Sequence, residues 1–184
     1  MEWILLFFFM PFVLTLMFFN WLEDKFFAFR DKEKLEDGEK LLYDKHFSEA
    51  QIFFTEKLKA FPKSPKAFLY RGQANLGLEN FYSALFDFEQ SISFDNTVAE
   101  SYVWKGKALY KLEEYDKAFL EFDKADWYYR SENAIALRWR GMARYCIGQL
   151  DNSINDFKRA VELGDEDSNF ILTTKFQYIR KGKP

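Results

Sequence analysis

Side chains that could catalyse a reaction or bind a metal are few and scattered in this sequence. It contains one histidine, His46, and one cysteine, Cys146, so histidine-rich metal sites and cysteine clusters are excluded within one chain. Adjacent acids at Glu113 and Glu114, and at 165–167, fall where turns are expected, and such charge runs are typically solvated. The sequence therefore predicts a protein that is not an enzyme and that uses neither a cofactor nor a metal. No small-molecule substrate is expected.

Basic and acidic residues recur at one fixed separation. Three bases are each followed by an acid sixteen residues later, namely Arg71 by Asp87, Lys105 by Glu121 and Arg140 by Asp156. In a pair of antiparallel helices, this separation places one base opposite one acid. We predict structural salt bridges, and as exposed pairs they should contribute at most about 1 kcal/mol each.

The composition favours long helices and disfavours nucleic acid as a partner. The 184 residues include 23 Phe, 10 Tyr and 5 Trp but only 8 Gly and 4 Pro, which argues against a turn-rich β fold. The 26 basic and 29 acidic residues are mixed along the chain and give a net charge of -3. Such a chain lacks the single-sign field that attracts a phosphate backbone.

Residues 3–22 form an uncharged, strongly apolar segment. Twenty helical residues at about 1.5 Å each cross the roughly 30 Å hydrocarbon layer of a membrane. Trp3 and Trp21 lie at its ends, where amphipathic rings are typical of the membrane interface. A cleaved signal peptide would need a basic start and a small-residue cleavage site, which are missing here. We predict a retained transmembrane anchor over 3–22, with Pro11 as a tolerated kink.

Residues 23–33 are expected to form a juxtamembrane helical linker. Basic residues follow the predicted span and none precedes it; they are Lys25, Arg30, Lys32, Lys34 and Lys40. The positive-inside rule then places the soluble domain in the cytoplasm. The alternative is the opposite orientation, with the soluble domain on the other side of the membrane.

The rest of the chain repeats with a period of 34 residues. Gly38, Gly72 and Gly106 are 34 apart, and Gly141 follows 35 later. Three further columns keep this register: Ala50, Ala84, Ala118 and Ser153; Phe54, Phe88, Phe122 and Phe157; and Phe47, Phe81, Tyr115 and Leu150. Small residues at fixed places let two antiparallel helices approach closely, while the second of these columns fills the space between them. Each copy is therefore predicted to be a helix hairpin.

These columns resemble the tetratricopeptide repeat family over roughly residues 34–167. The third copy meets the family pattern with Tyr102, Gly106, Tyr115, Ala118, Phe122 and Ala125. The resemblance implies an all-α, right-handed superhelical solenoid of about four hairpins, at 34–64, 65–98, 99–132 and 133–167. Lys175 occupies the glycine column, so 168–184 is expected to be a capping helix and tail.

The resemblance also implies that the first helix of each hairpin lines a concave groove that binds peptides. Aromatic and Arg side chains, which are common in binding hot spots, align on these helices. The predicted partner-binding residues are Tyr70, Gln73, Trp104, Lys107, Tyr110, Arg138, Trp139, Met142 and Tyr145. The alternative interpretation is that the aromatic column only packs one hairpin on the next.

The family's chaperone-binding members resemble one another in groove Lys and Asn residues. The equivalent places in this chain hold Leu35, Glu39 and Tyr70. An apolar or aromatic peptide or helix is therefore a better expected ligand than a chaperone tail.

Three functions fit these patterns. The first is a membrane-anchored interaction scaffold, or an assembly factor, that binds a partner peptide or helix in the groove. The second is a permanent structural subunit of a larger membrane protein complex, to which the Phe-rich span with Pro11 points. The third is a secreted or periplasmic binding protein whose anchor faces the other way.

Overall fold

The computed structural model describes Thr15, Phe18 and residues 35–176, and this part of the chain is helical throughout. The helices are α1 (described over 35–43), α2 (Phe47–Ala60), α3 (Pro65–Gly77), α4 (Phe81–Phe94), α5 (Ala99–Lys111), α6 (Tyr115–Tyr129), α7 (Ala134–Cys146), α8 (Leu150–Glu162) and α9 (Glu166–Ile171), followed by a π-helical turn, Leu172–Phe176. From α2 to α9, each helix packs against the next one in the chain. The predicted all-α helical-repeat solenoid is confirmed.

In each hairpin, a glycine on the first helix packs closely against a phenylalanine on the second helix. A Cβ atom at Gly72 would lie 2.5 Å from the Phe88 ring, and one at Gly106 would lie 2.6 Å from the Phe122 ring. Both rings are fully buried, and so are the small residues of the Ala50 column. The glycines therefore allow the helix contact that the 34-residue spacing predicts.

The three predicted salt bridges form across the hairpins, but they are not exposed. The distance from Arg71 Nη2 to Asp87 Oδ1 is 2.6 Å, and the distance from Lys105 Nζ to Glu121 Oε1 is 3.5 Å. The third pair joins Arg140 Nη2 to an oxygen of the Asp156 carboxylate at 2.8 Å. All three acids are buried. The prediction that these pairs are exposed is therefore wrong, and the value of about 1 kcal/mol does not apply to them. Removing one partner of a buried pair costs about 3–5 kcal/mol, because the other charge is left buried and unpaired.

The junction between the third and fourth hairpins differs from the earlier ones. Helix α6 has 15 residues where α4 has 14, and it is followed by Arg130 and Ser131, both at positive φ. The buried Asp126 carboxylate accepts hydrogen bonds from the Ser131 hydroxyl at 2.9 Å and from Arg140 Nη1 at 2.5 Å. The one extra residue of α6 accounts for the 35-residue spacing of Gly141.

The turn inside each hairpin contains one residue in the left-handed region. These residues are Lys45, Glu79, Glu113 and Gly148, with φ of 61°, 61°, 61° and 81°. Only the last of them is the glycine that such a backbone favours.

The first helices of the hairpins form one layer. Helix α3 contacts α5, and α5 contacts α7, whereas the main contacts of α4, α6 and α8 are with first helices and with the C-terminal segment. We call the solvent-exposed side of α3, α5 and α7 the inner face. The solvent-exposed side of α2, α4, α6 and α8 is the outer face.

The C-terminal cap begins at Glu166 and changes its winding at Leu172. The Asp165 carboxylate caps α9 by accepting a hydrogen bond from the Ser168 amide at 2.9 Å. Phe176 is buried against Phe157, with ring centroids 5.8 Å apart. The segment thus covers the exposed end of the last hairpin.

None of the helices among the described residues combines the length and apolar character that crossing a membrane requires. The predicted span at 3–22 lies outside the described residues, apart from Thr15 and Phe18, and so does the predicted linker at 23–33.

Candidate functional site

The predicted partner-binding residues lie on three neighbouring helices. Helix α3 carries Tyr70 and Gln73; α5 carries Trp104, Lys107 and Tyr110; and α7 carries Arg138, Trp139, Met142 and Tyr145. All are partly buried except Tyr145, which is exposed. Contacts between neighbouring helices link most of them into one surface, the inner face.

Glu100, which the sequence analysis did not identify, lies at the centre of this surface. Its Oε1 accepts hydrogen bonds from Gln73 Nε2 at 3.3 Å and from the Trp104 indole N–H at 3.0 Å. It therefore connects α3 to α5 and adds a negative charge to the predicted groove. The sequence did contain a signal for this contact, because Glu100 lies four residues before Trp104 and therefore on the same side of a helix.

Lys107 lies between two tryptophans. Its Nζ is 3.7 Å from the ring centroid of Trp104 and 5.4 Å from that of Trp139, so the ammonium makes cation–π contacts with both. Burial lowers the pKa of Lys107 to about 8, and the nearby charge of Arg138 acts in the same direction, whereas Glu100 opposes it. The ammonium of Lys107 thus lies against two aromatic rings of the inner face.

The aromatic column also packs one hairpin on the next. The Tyr70 and Phe54 ring centroids are 5.3 Å apart, and Trp139 stacks on Phe122 at 6.1 Å. Tyr110 contacts Trp139 edge to face at 5.5 Å. One side of these rings packs on the core, and the other side is partly exposed. The aromatic column therefore also stabilises the solenoid.

Burial of the tyrosines changes their acidity. Desolvation raises the pKa of Tyr70 above its ordinary value, and a hydrogen bond with Glu39 acts in the same direction. Desolvation likewise raises the pKa of Tyr110, whose hydroxyl lies 3.4 Å from the Cys146 sulfur. Both side chains therefore remain neutral hydrogen-bonding groups at neutral pH.

Arg138 is held by the C-terminal cap. Its Nη1 donates to Asp165 at 2.9 Å and also pairs with Asp167. Tyr145, two turns further along α7, contacts Phe176 with ring centroids 5.5 Å apart. The cap therefore neutralises one predicted binding residue and packs against another. For Met142, the structure shows a partly buried position between them.

The inner face presents aromatic and polar side chains and no metal-binding cluster among the described residues. No group of three or more His, Cys, Asp or Glu side chains in the described part of the chain could hold a metal ion. What the surface offers is aromatic area, one desolvated cation and hydrogen-bonding groups, which are features of protein-binding surfaces.

The sequence is similar to a known repeat family and to parts of larger proteins. Residues 99–126, which comprise α5 and most of α6, match the tetratricopeptide repeat. The protein SGT1 homolog of Oryza sativa subsp. japonica is 32% identical over 75 residues, 41% of this chain and 20% of that protein. Hsp70-Hsp90 organizing protein 2 of Arabidopsis thaliana is 29% identical over 92 residues, 50% of this chain and 16% of that protein. The chain thus spans a fifth or less of these relatives.

Solved structures share the fold. MamA 41-end from Desulfovibrio magneticus RS-1 has a TM-score of 0.68 and 21% identity, covering 82% of this chain and 84% of that one. The first tetratricopeptide domain of Spaghetti (RPAP3), bound to an HSP90 peptide, has a TM-score of 0.60 and 18% identity, covering 64% and 94%. At these identities the likeness shows the fold alone. The match to the tetratricopeptide repeat covers residues 99–126, and the solved structures show that the helical fold is shared.

Proposed function

We propose that this chain is a membrane-anchored interaction scaffold or assembly factor whose inner face binds a peptide or helix of a partner protein. The observation that carries the proposal is the inner face itself, where Trp104, Lys107 and Trp139 form a partly exposed aromatic and cationic surface across two helices. Binding energy in protein interfaces is concentrated in such side chains. The right-handed winding expected of this fold would make the surface concave.

The comparisons agree with a protein partner. One structure with the same fold contains a bound HSP90 peptide, and one relative is named as an organizing protein for Hsp70 and Hsp90. We retain the expectation against a chaperone tail for this chain, because Leu35 is buried and Glu39 is an acid near Tyr70. An acid there would repel a carboxylate at that end of the inner face.

The proposal includes the anchor at 3–22 and a soluble domain in the cytoplasm. Carbonate extraction of membranes tests the anchor: the full chain should stay in the pellet, and a variant lacking 3–22 should be released. Protease protection in sealed vesicles tests the orientation, with labelling of the exposed Cys146 thiol as a second readout. Release of the full chain by carbonate would remove the anchor from the proposal.

Charge insertion on the inner face tests the binding site. Gln73→Arg with Met142→Arg should block docking, because both positions are partly exposed on first helices and an added guanidinium fills the space above them. The matched control is Phe86→Arg with Leu120→Arg on the outer face, where both side chains are more than half exposed. Affinity purification in mild detergent should lose the partner only with the inner-face variant, at an unchanged circular dichroism spectrum.

A second candidate function is supported by the outer face. Ile52, Phe86 and Leu120 are spaced by 34 and are 63%, 56% and 55% exposed, which places one apolar side chain at the same position of three successive second helices. Surfaces of this kind are often covered by other proteins. A permanent subunit of a membrane complex would use this face. Its signature is a fixed stoichiometric set of co-purifying proteins that the outer-face variant loses and the inner-face variant keeps.

A further inference from the structure

Trp127 is an exposed tryptophan at a place where the other hairpins carry polar residues. It lies near the end of α6 and is 74% exposed. The equivalent places of α2, α4 and α8, each five residues after the buried phenylalanine, hold Lys59, Ser93 and Glu162. Packing of one hairpin on the next therefore does not require an aromatic ring at this place.

Trp127 borders a pocket at the edge of the solenoid, where α5 begins and α6 ends. The pocket has a volume of about 360 Å³ and is lined by Tyr102, Asp123, Lys124, Trp127 and Tyr128. The rings of Tyr102 and Tyr128 are stacked with centroids 5.4 Å apart, and Trp127 meets Tyr128 edge to face at 4.8 Å. We call this the edge pocket.

The tyrosine stack belongs to the repeat, whereas two other side chains of the edge pocket do not. Phe68 and Phe94 occupy the equivalent places of the second hairpin and are also stacked, with centroids 5.7 Å apart. Trp127 adds a second wall at 83° to the tyrosine that follows it. Asp123, one turn earlier on α6, adds a carboxylate. The third hairpin thus combines an exposed aromatic ring with an acid.

The carboxylate of Asp123 has a free side. Its Oδ1 accepts a hydrogen bond from Arg140 Nη1 at 3.0 Å, and among the described residues its Oδ2 accepts none. Arg140 does not depend on this contact, because it also pairs with Asp126 at 2.5 Å and with Asp156 at 2.8 Å. Asp123 can therefore accept a hydrogen bond from a ligand without releasing its own partner.

The lysine of the edge pocket is already paired. Lys124 Nζ lies 3.1 Å from Glu121 Oε1 and 5.9 Å from the ring centroid of Tyr102. In the part of the chain that the structure describes, its cation–π contact is with this ring and not with Trp127. Burial raises the pKa of Tyr102 to about 12, and the negative charges of Glu121 and Asp95 add to this effect. The surroundings of the pocket thus favour a further positive group.

We propose that the edge pocket takes an arginine side chain of a partner protein, with its guanidinium stacked on Trp127 and hydrogen-bonded to Asp123. A guanidinium is planar, so it can lie on a ring face and donate within its own plane to a carboxylate. A quaternary ammonium cannot donate, and a lysine ammonium has no planar face. The edge pocket is separate from the inner face, so this inference goes beyond the proposed function.

Subtractive selection of peptides tests this proposal. A random dodecapeptide phage library is first passed over Trp127→Ser, which carries the residue that α4 has at the equivalent place. The unbound phage are then selected on the unchanged full chain in maltoside micelles. The recovered peptides should be enriched in arginine. Replacing that arginine by citrulline keeps its shape and removes its charge, and should weaken binding about tenfold, the usual size of a lost charged hydrogen bond.

Variants of the edge pocket separate the ring from the carboxylate. Asp123→Asn keeps the side-chain volume and should bind the arginine peptide about tenfold more weakly, at an unchanged circular dichroism spectrum. Trp127→Phe retains a ring and should bind the peptide more tightly than Trp127→Ser does. The matched control is Glu89→Gln, at the equivalent place of α4, and it should leave the affinity unchanged.

Small cations as competitors test the choice of arginine. Methylguanidinium should displace the peptide at a lower concentration than tetramethylammonium, because only the former can donate to Asp123. Equal displacement by the two cations would overturn the assignment to arginine. Recovered peptides without arginine, or a selection without any phage that depends on Trp127, would overturn the proposal as well. The variant with Gln73→Arg and Met142→Arg should bind the peptide normally, so these results are independent of the inner face.

Discussion

Gly72 and Gly106 meet equivalent buried phenylalanine rings in the hairpin interior, whereas the residues that follow them on the inner face, Gln73 and Lys107, differ in charge and in partners. The interior columns vary little because close helix contact admits few residue types there. The inner-face positions are partly solvated and are free to vary. The difference between the two regions teaches that the repeat specifies a scaffold, while its variable positions carry the side chains that we propose bind a partner.

The largest effect should come from removing a buried charge in the scaffold. Asp156→Ala removes the buried carboxylate that Arg144 contacts at 2.7 Å and one of the carboxylates that Arg140 contacts, and should cost about 3 kcal/mol of unfolding free energy. Urea denaturation followed by circular dichroism measures this cost. The exposed pair of Lys59 and Glu56 is the control, and Glu56→Ala should change stability by less than about 0.5 kcal/mol. Equal effects would show that burial does not distinguish the two pairs.

Adding one methyl group to the hairpin interior should be the next largest change. Gly106→Ala places a Cβ atom 2.6 Å from the buried Phe122 ring, and should destabilise the chain by about 2 kcal/mol. Gly141→Ala is the matched control, because its Cβ would lie 3.1 Å from the nearest ring atom. The gain in helix propensity should offset most of that milder contact. A larger loss for the second variant than for the first would contradict the close-contact explanation.

A change on the inner face should increase the unfolding free energy, whereas the two changes above decrease it. Lys107→Met removes a desolvated charge without a counter-ion, and should stabilise the free protein by about 1 kcal/mol at pH 7, after allowance for partial exposure. The folded-state pKa of about 8 is below the ordinary 10.5, so the unchanged chain gains stability as pH rises between these values. The advantage of the variant should therefore shrink from pH 8 towards pH 10.5. Thermal melts across this range, with the exposed Lys66→Met as control, measure it.

The smallest effect is expected at the turns. Glu113 has φ of 61°, a conformation that glycine adopts without the Cβ strain. Glu113→Gly should therefore stabilise the chain by up to about 0.5 kcal/mol, because the gain exceeds the added entropy of the unfolded chain. Lys111→Gly, two residues earlier in α5, should instead destabilise it by up to about 1 kcal/mol. If both variants lose stability equally, the turn strain is not relieved.

The scaffold could be predicted from spacing, and the binding chemistry only in part. A 34-residue period places Gly72 against Phe88 and Arg71 against Asp87, because each contact repeats within one hairpin. The isolation of Lys107 depends on contacts that have no period, such as those of Glu100 in the same copy and of Asp165 at the start of the cap. The burial of the salt bridges and the π-helical turn also depend on packing that spacing alone does not specify.

The central claim is that the partner docks on the inner face, and site-specific photo-crosslinking tests it most directly. A photoreactive phenylalanine analogue is placed at Met142 on the inner face or at Leu120 on the outer face of the full chain, in living cells. We expect a crosslinked partner from position 142 and none from position 120. Crosslinking from position 120 alone would contradict the claim and assign the docking surface to the outer face.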